Sequence, residues 1–304
     1  MKQYDILVAG EINPDLILSG NVVPEFEQVE KLVDSAALTI GSSSVIFACG
    51  AARLGLKVAF IGKCGDDIFG RFMLDEMQTR GMDVENVTVV PGGSTGLSVI
   101  LNRGTDRAIL THPGLIAELQ ASSIPDDLIH QTRHLHVASY FLQTKLQPDL
   151  PDLFRRAHAF GVTTSLDPNY DPLEKWEGFN ELLPVIDIFM PNEAEAKSLT
   201  GAQTLDEAAN RLGSMVEALA IKRGADGALG VMHHEKVSVS SIPVQAVDTV
   251  GAGDSFDAGF LYGYLQGWTM EKSLRLACIC GALSTQQAGG TNGQPTLEEA
   301  MQHL

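Results

Sequence analysis

The sequence predicts a doubly wound α/β fold, a mostly parallel sheet with helices on both faces, carrying a small β-sheet lid. Three observations predict it. Short β-type apolar runs alternate with helical patterns over most of the 304 residues, as in βαβ units around a parallel sheet. Several helical stretches are each stopped by a glycine, the residue that leaves a helix most easily. Two excursions, Asp15 to Ile40 and Leu97 to Thr111, break the rhythm and predict strands that pack together over one edge of the sheet. No internal repeat or disordered linker separates a second unit. Residues 1–304 are expected to form a single domain, with the lid drawn from about 13–40 and 97–111.

The first predicted strand is Tyr4 to Gly10. Ser44 to Leu54 follows as a helix stopped by Gly55, then Lys57 to Gly62 as a strand and Asp67 to Arg80 as a helix stopped by Gly81. In the second excursion, Leu97 to Leu101 and Arg107 to Thr111 flank the polar turn Asn102-Arg103-Gly104-Thr105-Asp106, a hairpin pattern. Further strands are expected at His134 to Ser139, Thr163 to Asp167, Asp187 to Met190 and Leu219 to Arg223, with Pro148 to Phe160 as a crossover helix stopped by Gly161. Thr204 with Glu207 and Thr296 with Glu299 have capping-box spacing and open helices continuing past Leu212 and Ala300.

Composition narrows the function classes. Hydrophobic residues are 44% and charged residues 19%, and the 30 glycines follow no period, which excludes collagen, coiled coil and disorder. The balance of 21 Lys and Arg against 38 Asp and Glu gives −17, a field that repels polyanions and argues against nucleic acid or an anionic membrane as partner. Any phosphate ligand must be held by local chemistry. Near the N-terminus, the uncharged stretch Ile6 to Gly10 is too short for a signal peptide, and no segment has the roughly 18 apolar residues of a membrane span, so a cytoplasmic location is expected. Cys49, Cys64, Cys278 and Cys280 contain no C-x-x-C pair and read as reduced, buried thiols.

The chemistry concentrates in Asp248-Thr249-Val250-Gly251-Ala252-Gly253-Asp254-Ser255-Phe256-Asp257-Ala258-Gly259-Phe260. Two glycines permit a tight turn into a helix over Ser255 to Leu265, so the amides of Gly251, Ala252, Gly253 and Asp254 converge as an anion hole. Asp254 stands at its mouth, where amide donors would keep a carboxylate ionised and able to accept a hydroxyl proton. A capped, ligand-free helix start is the plainer alternative for a bare G-x-G-D. Asn192 and Glu195 follow the apolar run Val185 to Met190 and lie past the carboxyl end of a strand, where doubly wound sheets bind ligands; taken alone, Asn-x-x-Glu is equally a helix cap. Lys222, Gly224 and Gly227 end another strand, Lys222 reading as either a local positive charge or a surface lysine. Asn13 and Asp15 end the first strand, as hydroxyl ligands or an exposed polar turn.

These thirteen residues, with Gly10 to Asp15, the Ala51-Ala52-Arg53-Leu54-Gly55 helix end and Asn192-x-x-Glu195 in the same order, resemble the ribokinase-like or PfkB carbohydrate kinases over nearly the whole chain. The resemblance implies an α/β domain with a β-sheet lid, ATP and Mg²⁺ as cofactors, Asp254 as general base, and Gly251, Ala252 and Gly253 in the anion hole. It implies nucleotide contacts at Asn192, Lys222, Gly224 and Gly227, Mg²⁺ held through water by Glu195, and K⁺ beside Asp248 and the Val250 carbonyl. Asn13, Asp15, Gly41 and Ser42 match acceptor-binding positions. The family's second glycine is replaced by Ser42 and its sugar-binding asparagine by Ile46, while Asp171 stands where an arginine is common in the Asp167-Pro168-Asn169 turn, leaving Asp167 and Asn169 a supporting role near the phosphates.

A P-loop is absent, since Gly62-Lys63-Cys64 lacks the upstream glycine and the hydroxyl residue. A dinucleotide fingerprint is absent too, because Glu11 stands where pyrophosphate would lie. The expected activity is an ATP-dependent kinase acting on a hydroxyl, primary by expectation, of a monosaccharide or sugar acid. Nucleoside phosphorylation and a non-catalytic sensor are the alternatives, and a homodimer through the lid is the assembly considered.

Overall fold

The computed structural model describes residues 2–103, 106–233 and 235–304, with Asp106 by its backbone alone. From the N-terminus come β1 (Tyr4–Ala9), β2 (Pro14–Ser19), β3 (Ser35–Ile40), α1 (Ser43–Arg53), β4 (Val58–Ile61), β5 (Lys63–Gly65), α2 (Ile68–Thr79), β6 (Thr88–Val90), β7 (Leu97–Arg103) and β8 (Asp106–His112). Then follow α3 (Asp126–His130), β9 (Thr132–Val137), α4 (Leu150–Ala159), β10 (Thr163–Leu166), β11 (Ile188–Phe189), α5 (Glu193–Thr200), α6 (Leu205–Gly213) and β12 (Ala218–Lys222). The chain closes with β13 (Ala228–Met232), β14 (Glu235–Val239), α7 (Ala252–Leu265), α8 (Met270–Ser284) and α9 (Leu297–Met301).

The main sheet has the order β14-β13-β12-β11-β10-β9-β1-β4, parallel from β4 to β12 and antiparallel at the β13 and β14 edge, a hairpin the sequence pattern did not announce. β1 has β4 on one side and β9 on the other. The crossovers therefore diverge from β1, and a crevice opens at its carboxyl end, between Gly10 and the residues after β9. Alternation along β1 divides the core: Ile6 and Val8 pack with Phe47 and Phe260 of the α1, α7 and α8 layer, and Leu7 and Ala9 pack with Phe154 of the α3 to α6 layer. Burying each such large apolar side chain stabilises the fold by roughly 1.5–3 kcal/mol.

Helix ends follow the local chemistry. Gly55, Gly81 and Gly161 adopt φ of 95°, 81° and 65° behind α1, α2 and α4. Asp67 is the cap of α2 rather than its first residue, accepting from Gly70 N. Thr296 and Glu299 form a full capping box, whereas Thr204 makes only its half, because the Glu207 carboxylate takes the Gln203 amide.

The two excursions form a separate four-stranded sheet, β3-β2-β7-β8. Its register sets Asp15 beside Thr39 and Ser98, and Ser98 beside Thr111, on one face. Gly104 and Thr105 of the expected turn lie outside the described residues. All four cysteines are buried and free, and among the described residues no helix is long and apolar enough to cross a membrane.

Candidate active site

α7 starts at Ala252, earlier than its expected start at Ser255, with Gly251 as its N-cap at φ 71°. A Cβ at 251 would meet Gly290 O at 2.7 Å and Ile46 Cγ2 at 2.8 Å, so both the left-handed turn and the close approach require glycine. The amides of Ala252, Gly253 and Asp254 fall in the first turn, which lacks intrahelical acceptors and carries the positive end of the helix dipole. Ala252 and Gly253 border a cavity of about 490 Å³, closed by Lys222, Gly224, Gly227, Ile242, Val244, Phe256, Cys278, Ala282 and Thr285. Its mostly apolar wall, ending at an anion-binding turn, suits a flat heterocycle with a phosphate tail. The wall from Ser241 to Ala246 and the α8 residues were not singled out from sequence.

Asp254 is 7% exposed at the mouth of this turn. Burial and the neighbouring Asp167 carboxyl push its proton affinity well above the usual carboxylate range, against the expectation that amide donors would keep it ionised. Lys222 and a hydrogen bond from Ser43 oppose that rise, and Glu11 adds to it. A carboxyl held up in this way is a stronger base toward a hydroxyl than an ordinary aspartate. Lys222 is not a surface lysine. Its Nζ lies 2.7 Å from Asp167 Oδ2 and 3.0 Å from Asp257 Oδ2, all three side chains being almost wholly buried. The carboxylates raise its proton affinity, outweighing burial, so the ammonium stays charged beside the first turn of α7, 3.6 Å from where a Cβ on Gly253 would stand. Asp257 sits one turn after Asp254, a helical neighbour visible in the spacing but not assigned a role from it.

Asn192 and Glu195 form a full capping box at α5: Asn192 Oδ1 accepts from Glu195 N at 2.9 Å, and Glu195 Oε2 accepts from Asn192 N at 2.8 Å. The helix-cap alternative is therefore realised, alongside any ligand role. Burial, with Asp167 adding to it, raises Glu195 to about 7. Asp167, Asp254 and Asp257 each bring an oxygen within 4.8 Å of the others. Counting Glu195, four buried carboxyls surround one ammonium, an oxygen-only set with surplus negative charge that fits a hard cation such as Mg²⁺. Asn169 donates to Asp167 Oδ2 at 3.3 Å. Asp171 is buried by accepting the Leu173, Lys175 and Trp176 amides, which explains how an acid can occupy the place of an arginine.

At the other end of the crevice Asn13 and Asp15 are both buried, with Asn13 Nδ2 3.3 Å from Ser98 Oγ of the lid. Burial raises Asp15 to about 7, Arg107 pulling down and Asp248 pushing up. A Cβ on Gly41 would strike Asp15 Oδ1 at 2.1 Å and Asn13 O at 2.9 Å. Ser42 caps α1 with φ 68°, a conformation glycine adopts freely, which accounts for the glycine expected there. Ile46 is buried against Gly251 and Gly290, presenting an apolar surface where an asparagine was expected. Asp248 is committed through both oxygens, accepting Val250 N at 3.0 Å and Gly289 N at 2.9 Å. Sequence inspection gave no role to Ser98, Ser139 or Asp257, and used Glu11 only to exclude a dinucleotide.

The family model described as pfkB family carbohydrate kinase matches residues 5–297. The chain is 30% identical to an uncharacterized sugar kinase of Archaeoglobus fulgidus over 247 residues, 81% of this chain and 98% of that one. It is 30% identical to the 2-dehydro-3-deoxygluconokinase of Bacillus subtilis over 274 residues, 84% of each chain. Its fold superposes on a putative ribokinase II of E. coli, solved with ATP and Mg²⁺, with a TM-score of 0.87 at 24% identity, covering 99% of this chain and 98% of that one.

Proposed function

This chain belongs to the pfkB family of carbohydrate kinases, and we propose that it transfers the γ-phosphoryl group of ATP to a primary hydroxyl of a monosaccharide or sugar acid. The observation that carries this reading is the Asp254 carboxyl, buried in the first turn of α7 directly after Ala252 and Gly253, which border the apolar cavity. The nucleotide base lies in the cavity, with Gly224 and Gly227 beside it, and the phosphates meet the amides of Gly251, Ala252, Gly253 and Asp254 and the ammonium of Lys222. Asn13 and Asp15 receive the acceptor's hydroxyls against Gly41 and Ser42. Asp254 takes the proton of the attacking oxygen as the phosphoryl group moves, and the amides, fixed in place beforehand, stabilise its spreading charge. Mg²⁺, held through water by Glu195 with Asn192 alongside, would neutralise phosphate charge when bound. Asp248 and the Val250 carbonyl form the edge at which K⁺ would sit, and exposed Leu38 and Leu110, which the strand register sets on one face of the lid, support pairing of two copies there.

An ADP-release screen with Mg·ATP, run in potassium and in a bulky organic cation, tests this. Sugars, sugar acids including 2-dehydro-3-deoxygluconate, and adenosine form the panel. One sugar or sugar acid is expected to stimulate ADP release well above the acceptor-free rate, faster in potassium. Stimulation by adenosine alone overturns the acceptor class, and equal rates in both cations remove the potassium site.

A further inference from the structure

Around the carboxyl end of β1, three residues that are not glycine hold left-handed backbone: Ser42 at φ 68°, Ser139 at 52° and Asn169 at 53°. Such backbone persists in residues with a Cβ only where the surroundings over-determine it. What determines it here is Glu11, 2% exposed at the switch point of the sheet. Its Oε1 accepts from Ser44 N at 3.1 Å and Ser139 Oγ at 2.9 Å and shares the Ser42 hydroxyl, at 3.0 Å, with the Glu11 backbone carbonyl at 2.7 Å, and its Oε2 accepts from Ser44 Oγ. The Ser139 amide in turn donates to Asn169 Oδ1 at 2.7 Å. One carboxylate thereby ties the end of β1, the first turn of α1, the end of β9 and the turn after β10.

Capping α1 does not explain this grip, since Ser42 already supplies the cap by accepting from Val45 N at 3.0 Å. The same end of α1 packs on the start of α7: Ile46 lies against the Gly251 cap, and Gln294 Nε2 donates both to Ile46 O at 2.9 Å and to Ser255 Oγ, next to Asp254, at 3.0 Å. We infer that Glu11 is a positioning residue for phosphoryl transfer, the clamp that holds the first turn of α1 against the start of α7, which carries Asp254. This rests on Asp254 being the base.

Two substitutions separate position from charge. In Glu11→Gln the amide oxygen can accept the three donors at Oε1 while its NH₂ donates to Ser44 Oγ, which turns to accept; the clamp survives and the charge is lost. In Glu11→Ala the clamp is lost as well. The assay is ADP release with Mg·ATP and the fastest acceptor of the panel above, with Asp254→Asn as reference and thermal unfolding alongside. Glu11→Ala is expected to lose about 10²-fold in kcat, the scale of a misplaced reacting group, with KM for ATP little moved. Glu11→Gln is expected to recover most of that loss, because its amide keeps the clamp without the charge. Should Glu11→Ala fail to fold, the double variant Ser44→Ala with Ser139→Ala removes two side-chain donors of the clamp and leaves Glu11 in place, and a wild-type kcat in that variant overturns the inference. Glu11→Ala at the wild-type rate beside an inactive Asp254→Asn overturns this inference alone, whereas Asp254→Asn at the wild-type rate overturns the base assignment and this inference with it.

Discussion

Asp15 lies on the lid strand β2, 6% exposed, with burial as the main force on its proton and a resulting shift to about 7. In the unfolded chain it would release that proton near 4. Between those values the folded state binds more protons than the unfolded one, so the stability linked to Asp15 is complete below about 4 and is lost as pH rises through 7. Asparagine cannot titrate. Asp15→Asn is therefore expected to raise Tm relative to wild type at pH 8, with the gain shrinking toward pH 4, while KM for the acceptor rises; a gain independent of pH would contradict the burial account. Asn13, Asp15 and Asp254 were legible as residues because each stands where a strand end or a glycine turn exposes it to ligand. Lys222 was legible as a candidate positive charge at a strand end, but its burial and pairing were not, since its partners Asp167 and Asp257 are 55 and 35 residues away and only the sheet order brings β10, β12 and α7 together.

Among the elements, the lid is the least constrained. β8 is exposed along its described length and β3 along most of its own, so their backbone bonds have little apolar cover. Asp15 and Ser98 are buried on the same lid face that carries Thr111, which gives an acceptor polar groups to close upon. Hydrogen exchange over residues 13–40 and 97–111 is expected to be fast without ligand and slowed by the true acceptor with Mg·ATP, since closure excludes water from phosphoryl transfer. Exchange unaffected by an acceptor that is turned over would end the lid's gating role. The lid itself was legible from two breaks in the α/β rhythm, and its strands form the expected hairpin. The β13 and β14 edge was not, because Ala228–Met232 is a short apolar run that periodicity alone cannot assign.

Across the whole molecule, a net charge of −17 surrounds a site that must hold a polyphosphate, and the conflict is resolved locally by one helix terminus and one buried ammonium. The fold class could be read from alternation because nearly every strand of the parallel sheet has a helix beside it in sequence. The electrostatics of the centre could not, because they depend on how many carboxyls the sheet buries together. The central claim, that Asp254 removes the acceptor proton during phosphoryl transfer, is tested most directly by kcat for ADP release from Asp254→Asn with Mg·ATP and the acceptor identified by screening. Loss of about 10²- to 10⁴-fold, with nucleotide affinity and Tm close to wild type, is the expected result. A variant that keeps more than about half of the wild-type kcat contradicts it.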